Sequence, residues 1–329
     1  MRWGLIGAST IAAEHMIAAI RSEGGEIACV QGGDADRIGA YAGRHGIPRA
    51  ETDLDALLKG GEVQAVYISS TNEKHRAQAL AAVAAGCHVL CEKPLALTVA
   101  EAREMVGAAE AAGLVFATNH HLRNAATHLA LRDAVKAGRV GRVLSVRVFH
   151  AVHLPPHLQG WRIDDPAAGG GVIPDITVHD ADTVRHILDE TPETVVAMAG
   201  ESGMGRGVED SVMSVWSMPS GAMVMAHESF THRFAETGVE VHGTDGSLYG
   251  RGIMTQRPLG TVELVTAEGR ETLPAPPHDL YARGVRLFHE AVAGRGRPAA
   301  DGRDGIASLA VALAVREAAR TGRRVAVEV

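Results

Sequence analysis

The stretch His88-Val89-Leu90-Cys91-Glu92-Lys93-Pro94-Leu95 decides the fold, because a short apolar run ends there in a carboxylate, an amine and a proline. The run is too short for a helix and is followed at once by a helix breaker, so it predicts a buried parallel strand. In open α/β sheets, ligands lie in the crevice beyond the carboxyl ends of the strands. Pro94 disfavours helical backbone at Lys93. We therefore expect Glu92 and Lys93 to project into such a crevice; the alternative is a surface turn with a solvated lysine.

Strands and helices alternate on both sides of this stretch. Short apolar runs separated by helical segments predict six β–α alternations before about residue 118. Such alternation is typical of a doubly wound parallel sheet with right-handed crossovers, the Rossmann architecture. Thr98 and Glu101 have the spacing of a capping box and predict the start of one of the helices. The apolar runs named as strands are 3–7, 26–31, 65–69, 88–91 and 114–117.

The pattern changes beyond Asn119. Residues 142–152 alternate between apolar and polar side chains, as in a sheet with one solvated face. Turn-forming residues separate the later strands, which predicts an antiparallel meander, and two amphipathic helices close the chain. We therefore predict a Rossmann domain at 1–119 and an α+β domain with a mostly antiparallel open sheet at 120–329, including the C-terminal helices. The predicted strands after 152 are 194–200, 210–218, 222–230, 237–243, 246–250 and 260–273.

Composition excludes several classes of function. The chain has 329 residues with 46% hydrophobic and 22% charged residues, which is typical of a globular protein with a large core. Its net charge of -7, without a basic run, argues against nucleic-acid binding. The sequence has neither a signal segment nor an apolar run of membrane-spanning length. Three cysteines in apolar surroundings fit a reducing compartment, so we expect a cytoplasmic protein without a membrane partner.

The first turn of the predicted sheet has the character of a dinucleotide-binding motif. Gly7 allows the tight turn after the first strand, and Ala12 allows close packing of the next helix. The N-terminus of that helix can receive a pyrophosphate. Ser9 occupies the position of the middle glycine of the fingerprint, so the motif is weak by itself. Its alternative interpretation is an ordinary tight βα turn.

A second candidate site follows the glycine run 169–171. On a helix, Asp175 and His179 are one turn apart on the same face, and Asp182 extends that face. A carboxylate beside an imidazole holds its tautomer and raises its pKa, as a proton donor near neutral pH requires. The glycine run would permit close approach of the backbone to a ligand. The alternative is a structural hydrogen bond between the two side chains.

Other histidine groups favour no metal site. His153 and His157 have a spacing seen in zinc sites, but two prolines between them prevent the helix that such a site needs. His120 and His121 follow a strand, so we expect one ring to face a cleft and the other to face solvent. His186 and Asp182 are predicted to form a surface contact. We therefore expect no metal cofactor.

These motifs together resemble the glucose–fructose oxidoreductase/inositol dehydrogenase family over nearly the whole chain. The shared features are the Rossmann domain, Glu92-Lys93-Pro94, and the glycine run followed by Asp175 and His179. Further stretches that fit are 3–12, 88–98, 118–125, 148–152, 154–162 and 234–238. The resemblance implies NADPH-dependent reduction of a sugar ketone, in its most specific form the C2 ketone of 1,5-anhydro-D-fructose to 1,5-anhydro-D-mannitol.

The resemblance also implies roles for particular residues. Lys93 and His179 would be catalytic, with Asp175 at the substrate. The cofactor-binding residues that it implies are Gly7, Ser9, Thr10, Ile11, Ala12, Gly32, Gly33, Arg37, Ser70, Thr71, Asn72, His75, Glu92, Lys93, Asn119, Trp161, Arg162 and Tyr281. Trp161 and Tyr281 are otherwise readable as plain core aromatics.

The cofactor and the direction of the reaction leave alternatives open. Gln31-Gly32-Gly33 stands at the end of the second strand, where the family member that the chain most resembles has small hydroxyl residues. NAD-specific Rossmann domains have an acidic residue at the end of the second strand, and this chain has none there but has Arg37 nearby. We therefore expect NADPH to be preferred, with NADH used less well. A polyol or inositol dehydrogenase running in the opposite direction, and a non-catalytic dinucleotide-binding sensor, are the alternative functions. The partner is expected to be a small sugar, and the sequence leaves the oligomeric state open.

Overall fold

The chain folds into two compact units, described here from a computed structural model that covers residues 1–59 and 61–329. The first unit comprises Met1–His121 and Tyr281–Ile306, and the second comprises Leu122–Leu280 and Ala307–Val329. The sequence predicts a single division after residue 119. The structure differs in assigning the segment 281–306 to the first unit.

The first unit is built on a six-stranded parallel sheet with the order β3-β2-β1-β4-β5-β6. This is the doubly wound order in which the chain reverses direction between β1 and β4, so the predicted Rossmann fold is confirmed. The central strands are buried on both faces because helices cover both sides of a parallel sheet. The strands are β1 (Arg2–Ile6), β2 (Glu26–Gln31), β3 (Arg49–Glu51), β4 (Ala65–Ile68), β5 (His88–Cys91) and β6 (Phe116–Thr118).

The strand β3 is absent from the apolar runs that mark the other strands. Its three residues are partly or fully exposed, and two of them are charged. It is an edge strand, held by pairing of Cys29 with Arg49 and of Gln31 with Glu51. The strand has no buried face, so no alternation of apolar side chains marks it in the sequence. It belongs to the sheet through backbone pairing alone.

Helices follow each crossover of this unit. Thr98 and Glu101 form the predicted capping box, since each side chain accepts a hydrogen bond from the other residue's backbone N–H. The first crossover opens with a π-helical turn, Ala12–Met16, which continues into an α-helix. The α-helices are α1 (Ile17–Ser22), α2 (Ala35–His45), α3 (Leu54–Leu58), α4 (His75–Ala84) and α5 (Val99–Ala111), and a short 3₁₀ turn, Asn72–Lys74, precedes α4.

The segment 281–306 belongs to the first unit because it packs on the ends of that sheet. The Trp3 indole donates a hydrogen bond to His289 Nε2 at 3.1 Å, and its ring lies 5.1 Å from the ring of Phe288. Near β6, the Thr118 N–H donates to the Ala300 carbonyl at 3.1 Å. These contacts join residues between 182 and 286 positions apart, so local sequence pattern carries no sign of them.

The second unit contains a nine-stranded sheet, mostly antiparallel as predicted. The predicted meander is wrong in one respect: β7 lies between β11 and β10 and runs parallel to β10. The predicted strand 260–273 is a hairpin of two strands. In the order β14-β13-β12-β11-β7-β10-β9-β8-β15, the members are β7 (Val143–Ala151), β8 (Thr194–Gly200), β9 (Ser211–Ser217), β10 (Met223–Ser229), β11 (Gly238–Gly243), β12 (Gly246–Arg251), β13 (Thr261–Thr266), β14 (Gly269–Thr272) and β15 (Val325–Ala326).

One face of this sheet carries the core of the second unit. Val146, Val148, Val224 and Trp216 are buried there, and helices pack against them. The other face of β8, β9 and β10 exposes methionine and valine side chains. The α-helices of the second half are α6 (Ala126–Lys136), α7 (Trp161–Asp164), α8 (Val178–Leu188), α9 (Leu280–Val292) and α10 (Gly302–Thr321), with 3₁₀ turns at His121–Asn124 and Pro156–Leu158 and a π-helical turn at Ile173–Thr177.

Candidate active site

Glu92 and Lys93 lie at the carboxyl end of β5, as the sequence predicts. The Glu92 N–H continues the sheet pairing by donating to the Ile68 carbonyl at 2.9 Å. One carboxylate oxygen of Glu92 accepts from the Tyr67 hydroxyl at 2.5 Å and from the Asn119 side-chain amide at 2.6 Å. Two donors on one oxygen hold this carboxylate rigidly. The backbone that carries the half-buried Lys93 is therefore fixed rather than mobile.

Tyr67 is a part of this arrangement that the sequence interpretation missed. It is fully buried in β4. Burial, together with the nearby Glu92 carboxylate, raises the pKa of the Tyr67 phenol well above its usual range. The phenol therefore stays protonated and remains a donor to Glu92. In the sequence, the sign of this role is a tyrosine near the end of an otherwise apolar strand.

The turn after β1 has the shape that a dinucleotide-binding loop requires. Gly7 has a φ of +109°, and a Cβ atom there would lie 2.9 Å from the backbone of Ser69 and Ser70. Only glycine therefore fits at this position. The Gly7 N–H is bound to the Gln31 carbonyl at 2.9 Å, which holds the loop against the end of β2.

Ser9 begins the helix that follows. Its hydroxyl accepts from the Ala12 N–H at 3.2 Å and donates to the Ser69 hydroxyl at 2.7 Å. Thr10 and Ile11 lie in the first helical turn, whose N–H groups attract anions. Ala12 is fully buried, which agrees with close packing of this helix on the sheet. The residues present therefore fit a pyrophosphate at this helix N-terminus.

Arg37 reaches back towards this loop from α2. Its guanidinium donates to the Ala8 carbonyl at 3.2 Å, although the side chain is exposed. Asp34 is the N-cap of α2, and its carboxylate accepts from the Arg37 N–H at 2.9 Å. The first acid that follows β2 along the chain is thus used in capping, where it also lies favourably at the positive end of the helix dipole.

Gly32 and Gly33 differ in the space around them. A Cβ atom on Gly32 would lie 2.5 Å from Ile38 Cγ2, whereas one on Gly33 would have no atom within 4 Å. Neither glycine has the positive φ that excludes other residues. Position 33 is therefore open to a side chain, and position 32 accepts one only if Ile38 shifts.

The segment after β4 contributes Ser70, Thr71, Asn72 and His75. Ser70 and Thr71 are partly exposed and Asn72 is buried. His75 has no exposed surface, and its ring nitrogens lie 3.0 Å from the Pro94 carbonyl and 3.1 Å from the Ser70 carbonyl. Its ring therefore braces the loops after β4 and β5 against each other, and its contact with a cofactor stays a prediction.

Tyr281 is buried between two histidine rings of the first unit. It stacks on His15 at a centroid distance of 4.5 Å and on His121 at 5.2 Å. The expectation that one of His120 and His121 faces solvent is wrong, because both are buried, with 2% and 6% exposure. The stack ties the start of α9 to the first crossover helix and to the end of β6.

In the second unit, Asp175 and His179 lie where the chain passes from a π-helical to an α-helical turn. The predicted single helix from 173 to 188 is in fact the π-helical turn Ile173–Thr177 followed by α8. Such π-helical turns occur frequently at functional sites. Asp175 is on the π turn and His179 is in the first turn of α8, and both are at least nine-tenths buried.

Arg162 and Trp161 lie beside Asp175. The Arg162 guanidinium is 4.6 Å from the Trp161 ring centre, and its Nε is 3.4 Å from Asp175 Oδ2. The glycine run serves this packing: a Cβ on Gly170 would lie 2.5 Å from the Trp161 carbonyl oxygen. At Gly170, the chain's own backbone fills the space that a side chain would need, and close approach of a ligand to the glycine run stays a prediction.

Asp182 has a different role from the one its spacing suggests. It forms a buried, two-pronged ion pair with Arg123, with N–O distances of 2.7 to 2.9 Å. The predicted surface contact between His186 and Asp182 is wrong in that Asp182 is only 1% exposed. A bidentate arginine–carboxylate pair is among the strongest charged hydrogen bonds in proteins.

Two further polar residues beneath the second sheet escaped the sequence interpretation. Asp180 and Glu228 are both fully buried, and Asp180 Oδ1 lies 2.7 Å from Nδ1 of His150. Glu228 shares the inward side of β10 with Val224 and Ala226. A charged residue at an inward position of an apolar strand is the signal that would have found it.

Within residues 1–59 and 61–329, no three histidine, cysteine, aspartate or glutamate side chains are grouped so as to hold a metal ion. Over the same residues, no helix has the length and apolar character needed to cross a membrane.

Comparison with known families gives two matches that together cover most of the chain. Residues 1–120 match the family described as an oxidoreductase family with an NAD-binding Rossmann fold. Residues 128–249 match the GFO/IDH/MocA C-terminal domain.

Individual proteins resemble the chain over its whole length. It is 56% identical over 328 residues to a 1,5-anhydro-D-fructose reductase from Ensifer adhaerens, which covers 99% of this chain and 98% of the relative. It is 30% identical to D-xylose 1-dehydrogenase (NADP(+)) 2 from Haloferax volcanii, with 99% of each chain covered. Among solved structures, the aldose-aldose oxidoreductase from Caulobacter crescentus in complex with glycerol has a TM-score of 0.90 and 25% identity, with 99% of each chain covered.

Proposed function

Since the chain belongs to the GFO/IDH/MocA family of oxidoreductases, we propose that it reduces a sugar ketone with NADPH, and that the ketone is 1,5-anhydro-D-fructose. The product would be 1,5-anhydro-D-mannitol. The observation that carries this proposal is the identity of 56% over 99% of the chain with a 1,5-anhydro-D-fructose reductase. Motifs common to the whole family do not separate one sugar from another, whereas 56% identity is well above the 30% shared with the D-xylose dehydrogenase.

The first unit would hold the cofactor. The cradle formed by Gly7 and the backbone of Ser69 and Ser70 fits a pyrophosphate, and Thr10 and Ile11 would offer N–H groups to it. Arg37 lies close enough to the same loop to reach a ribose phosphate. Bound NADPH would supply the hydride, and the protein would position and polarise the reactants.

Lys93 would act on the carbonyl oxygen. Negative charge grows on that oxygen as the carbonyl carbon is reduced, and a cation already in place stabilises this charge without reorganising. The rigid attachment of Glu92 to Tyr67 and Asn119 supports this role, because it fixes the backbone from which Lys93 projects.

His179 would deliver the proton that converts the alkoxide to a hydroxyl. An imidazole suits this work because its ordinary pKa is close to neutral. Asp175, paired with Arg162, would bind the substrate hydroxyls. No step in this chemistry needs a metal ion.

The 30% identity with an NADP-dependent D-xylose dehydrogenase favours a second candidate, the oxidation of a sugar hydroxyl. The two functions share their residues and differ in substrate and direction. The discriminating experiment measures kcat/KM for NADPH oxidation with a panel of 2-keto sugars, and for NADP reduction with aldoses and polyols, each repeated with NADH or NAD. We expect 1,5-anhydro-D-fructose with NADPH to give the highest value. A higher value for the oxidation of an aldose or an inositol would contradict the proposal.

A further inference from the structure

Three ionisable side chains from three elements meet beneath the sheet of the second unit. Strands β7 and β10 pair in parallel with Glu228 opposite His150, so these two side chains are neighbours on the same face. Helix α8 brings Asp180 to them, and Asp180 Oδ1 lies 2.7 Å from His150 Nδ1. Asp180 and Glu228 have no exposed surface, and His150 has 7%. The group is therefore sealed from bulk water.

The two carboxyl groups lack enough donors to be ionised together. In the described part of the chain, neither oxygen of Glu228 nor Asp180 Oδ2 has a hydrogen-bond donor with good geometry. Thr177 lies close to Glu228, but its hydroxyl is not aligned to donate. A carboxylate oxygen only accepts hydrogen bonds, so two carboxylates in contact are satisfied only if a proton lies between them.

Electrostatics support the same conclusion. Burial raises the pKa of both carboxyl groups well above the usual range, and the Asp180 charge raises that of Glu228 further. Other titratable or charged groups of this region are His179, whose ring centre is 6.2 Å from that of His150, and the buried His128. Two ion pairs, Asp182 with Arg123 and Asp175 with Arg162, lie on the same helical segment as His179. If both carboxyl groups were ionised, the second negative charge would be buried without a partner. That costs more free energy than keeping one of the two groups protonated.

We propose that Asp180 and Glu228 share one proton, and that the single charge left on the pair acts through His150 to keep His179 protonated. Asp180, Glu228 and His150 are then positioning residues, because none of them needs to touch the substrate. The second half of this inference rests on the proposed function of His179 as the proton donor. Each turnover removes one proton from His179, and a solvent proton must replace it. The negative charge behind His150 raises the affinity of the two imidazoles for that proton.

The shared proton is tested without any substrate. The melting temperature is measured from pH 5 to 9 for the wild type, for Glu228→Gln and for a matched control, Glu263→Gln, in the same sheet but paired with the exposed Arg270. A buried acid that keeps its proton in the folded state loses stability as pH rises above the pKa of the unfolded chain. We expect Glu228→Gln to remove much of the wild-type decline at high pH and the control to retain it. Parallel profiles for Glu228→Gln and the wild type would overturn the shared proton.

Infrared spectroscopy of the folded protein gives a second measurement of the same proton. At neutral pH, the wild type is expected to show a carboxylic acid C=O band that Glu228→Gln lacks and Glu263→Gln keeps. This comparison needs no denaturation. A band unchanged in Glu228→Gln would show that Glu228 is not part of a protonated pair.

The coupling to His179 is tested by the pH profile of kcat. In Asp180→Asn/Glu228→Gln the pair carries no charge, so we expect the basic limb to move to lower pH by about one unit. Glu228→Gln, which keeps one carboxylate, should move it less. If the double variant had a lower kcat but an unchanged basic limb, Asp180 and Glu228 would have only a structural role. If the double variant does not fold, Asp180→Asn serves in its place, with a shift expected in the same direction.

Separate results would overturn the proton shared by Asp180 and Glu228 and the role of His179. If His179→Ala keeps the wild-type pH profile, the proposed role of His179 is wrong, whereas the melting and infrared results still decide whether the proton is shared. If His179→Ala removes the limb but the carboxyl variants leave it in place, the proposed function stands and the coupling is wrong.

Discussion

Lys93 is the residue on which the proposed chemistry depends most. Lys93→Ala removes the cation that would face the developing oxyanion, so kcat should fall by about 10²–10³, as for the loss of one preorganised donor. Affinity for NADPH should change less. Steady-state kinetics and a fluorescence titration with NADPH would measure the two effects.

Lys74→Ala is a matched control, because Lys74 lies on the same unit but is exposed and paired with Glu73. It should retain wild-type turnover. If Lys93→Ala kept more than half of the wild-type kcat, Lys93 would be a structural lysine and the proposed mechanism would be wrong.

His179 should control the pH dependence of the reaction. His179→Ala is expected to lower kcat by about 10²–10⁴, the usual contribution of a general acid, and to remove one limb of the pH–rate profile. The measurement is kcat over a pH series for both proteins. A lower rate with both limbs retained would mean that the proton is delivered by another group.

Arg37 and Gly33 should set the choice of cofactor. A charge-assisted hydrogen bond contributes about 1.5–3 kcal/mol, so Arg37→Ala should reduce the preference for NADPH by roughly 10- to 150-fold while sparing turnover with NADH. Arg44→Ala, exposed on the same helix, should leave the preference unchanged.

The space around Gly33 makes Gly33→Ser the complementary change, because a Cβ there would have no atom within 4 Å and the added hydroxyl would be available to a ribose phosphate. We expect the ratio of kcat/KM for NADPH to that for NADH to rise. Gly32→Asp is expected to favour NADH, but its Cβ needs Ile38 to move. A wild type that already prefers NADH would contradict this account of the site.

At the scale of single elements, the N-terminus of α5 offers the clearest prediction. Thr98→Ala removes the side chain that accepts from the Glu101 N–H, and the loss of such a cap costs about 0.5–2 kcal/mol. The melting temperature of the first unit should fall. Thr98→Ser, which keeps the hydroxyl, should remain close to the wild type. Equal melting temperatures for alanine and serine variants would show that the capping box contributes no stability here.

At the scale of the whole molecule, buried His128 should make stability sensitive to acid. Burial, and to a smaller extent the charge of His150, lowers the pKa of His128 from its ordinary 6.5 to about 4. As pH falls from 6.5 to 4, the unfolded chain therefore binds this proton before the folded protein does. Stability should be lost over this window, by up to about 3 kcal/mol.

The leucine side chain in His128→Leu cannot bind a proton, so this variant should lose less stability at acid pH. Thermal melts at pH 7, 5.5 and 4.5 would measure the difference. His157→Gln, at an exposed position, should behave like the wild type. The Asp180–Glu228 pair works in the opposite direction, because it loses stability as pH rises. An acid limb unchanged by His128→Leu would assign the loss to other groups.

The sequence by itself determined the Rossmann unit and the family. Short apolar runs, a glycine turn and a capping box are local features, and their physics acts between residues close in the chain, so the strands from β1 to β6 could be placed with one exception, β3. The motif residues Lys93, Asp175 and His179 could be named in the same way. Their roles remain proposals, since a motif identifies residue types and not the chemistry that they perform.

Only the tertiary structure decided how distant residues combine. The packing of Phe288 and His289 on Trp3 assigns the segment 281–306 to the first unit, although its sequence reads as part of the second. The parallel insertion of β7 beside β10 places Glu228 opposite His150, a neighbourhood that no periodicity reports. Hydrogen bonds, burial and pKa shifts depend on which side chains share a space. Local sequence does not contain these properties, because they arise only when elements that are distant in the chain pack together and exclude water.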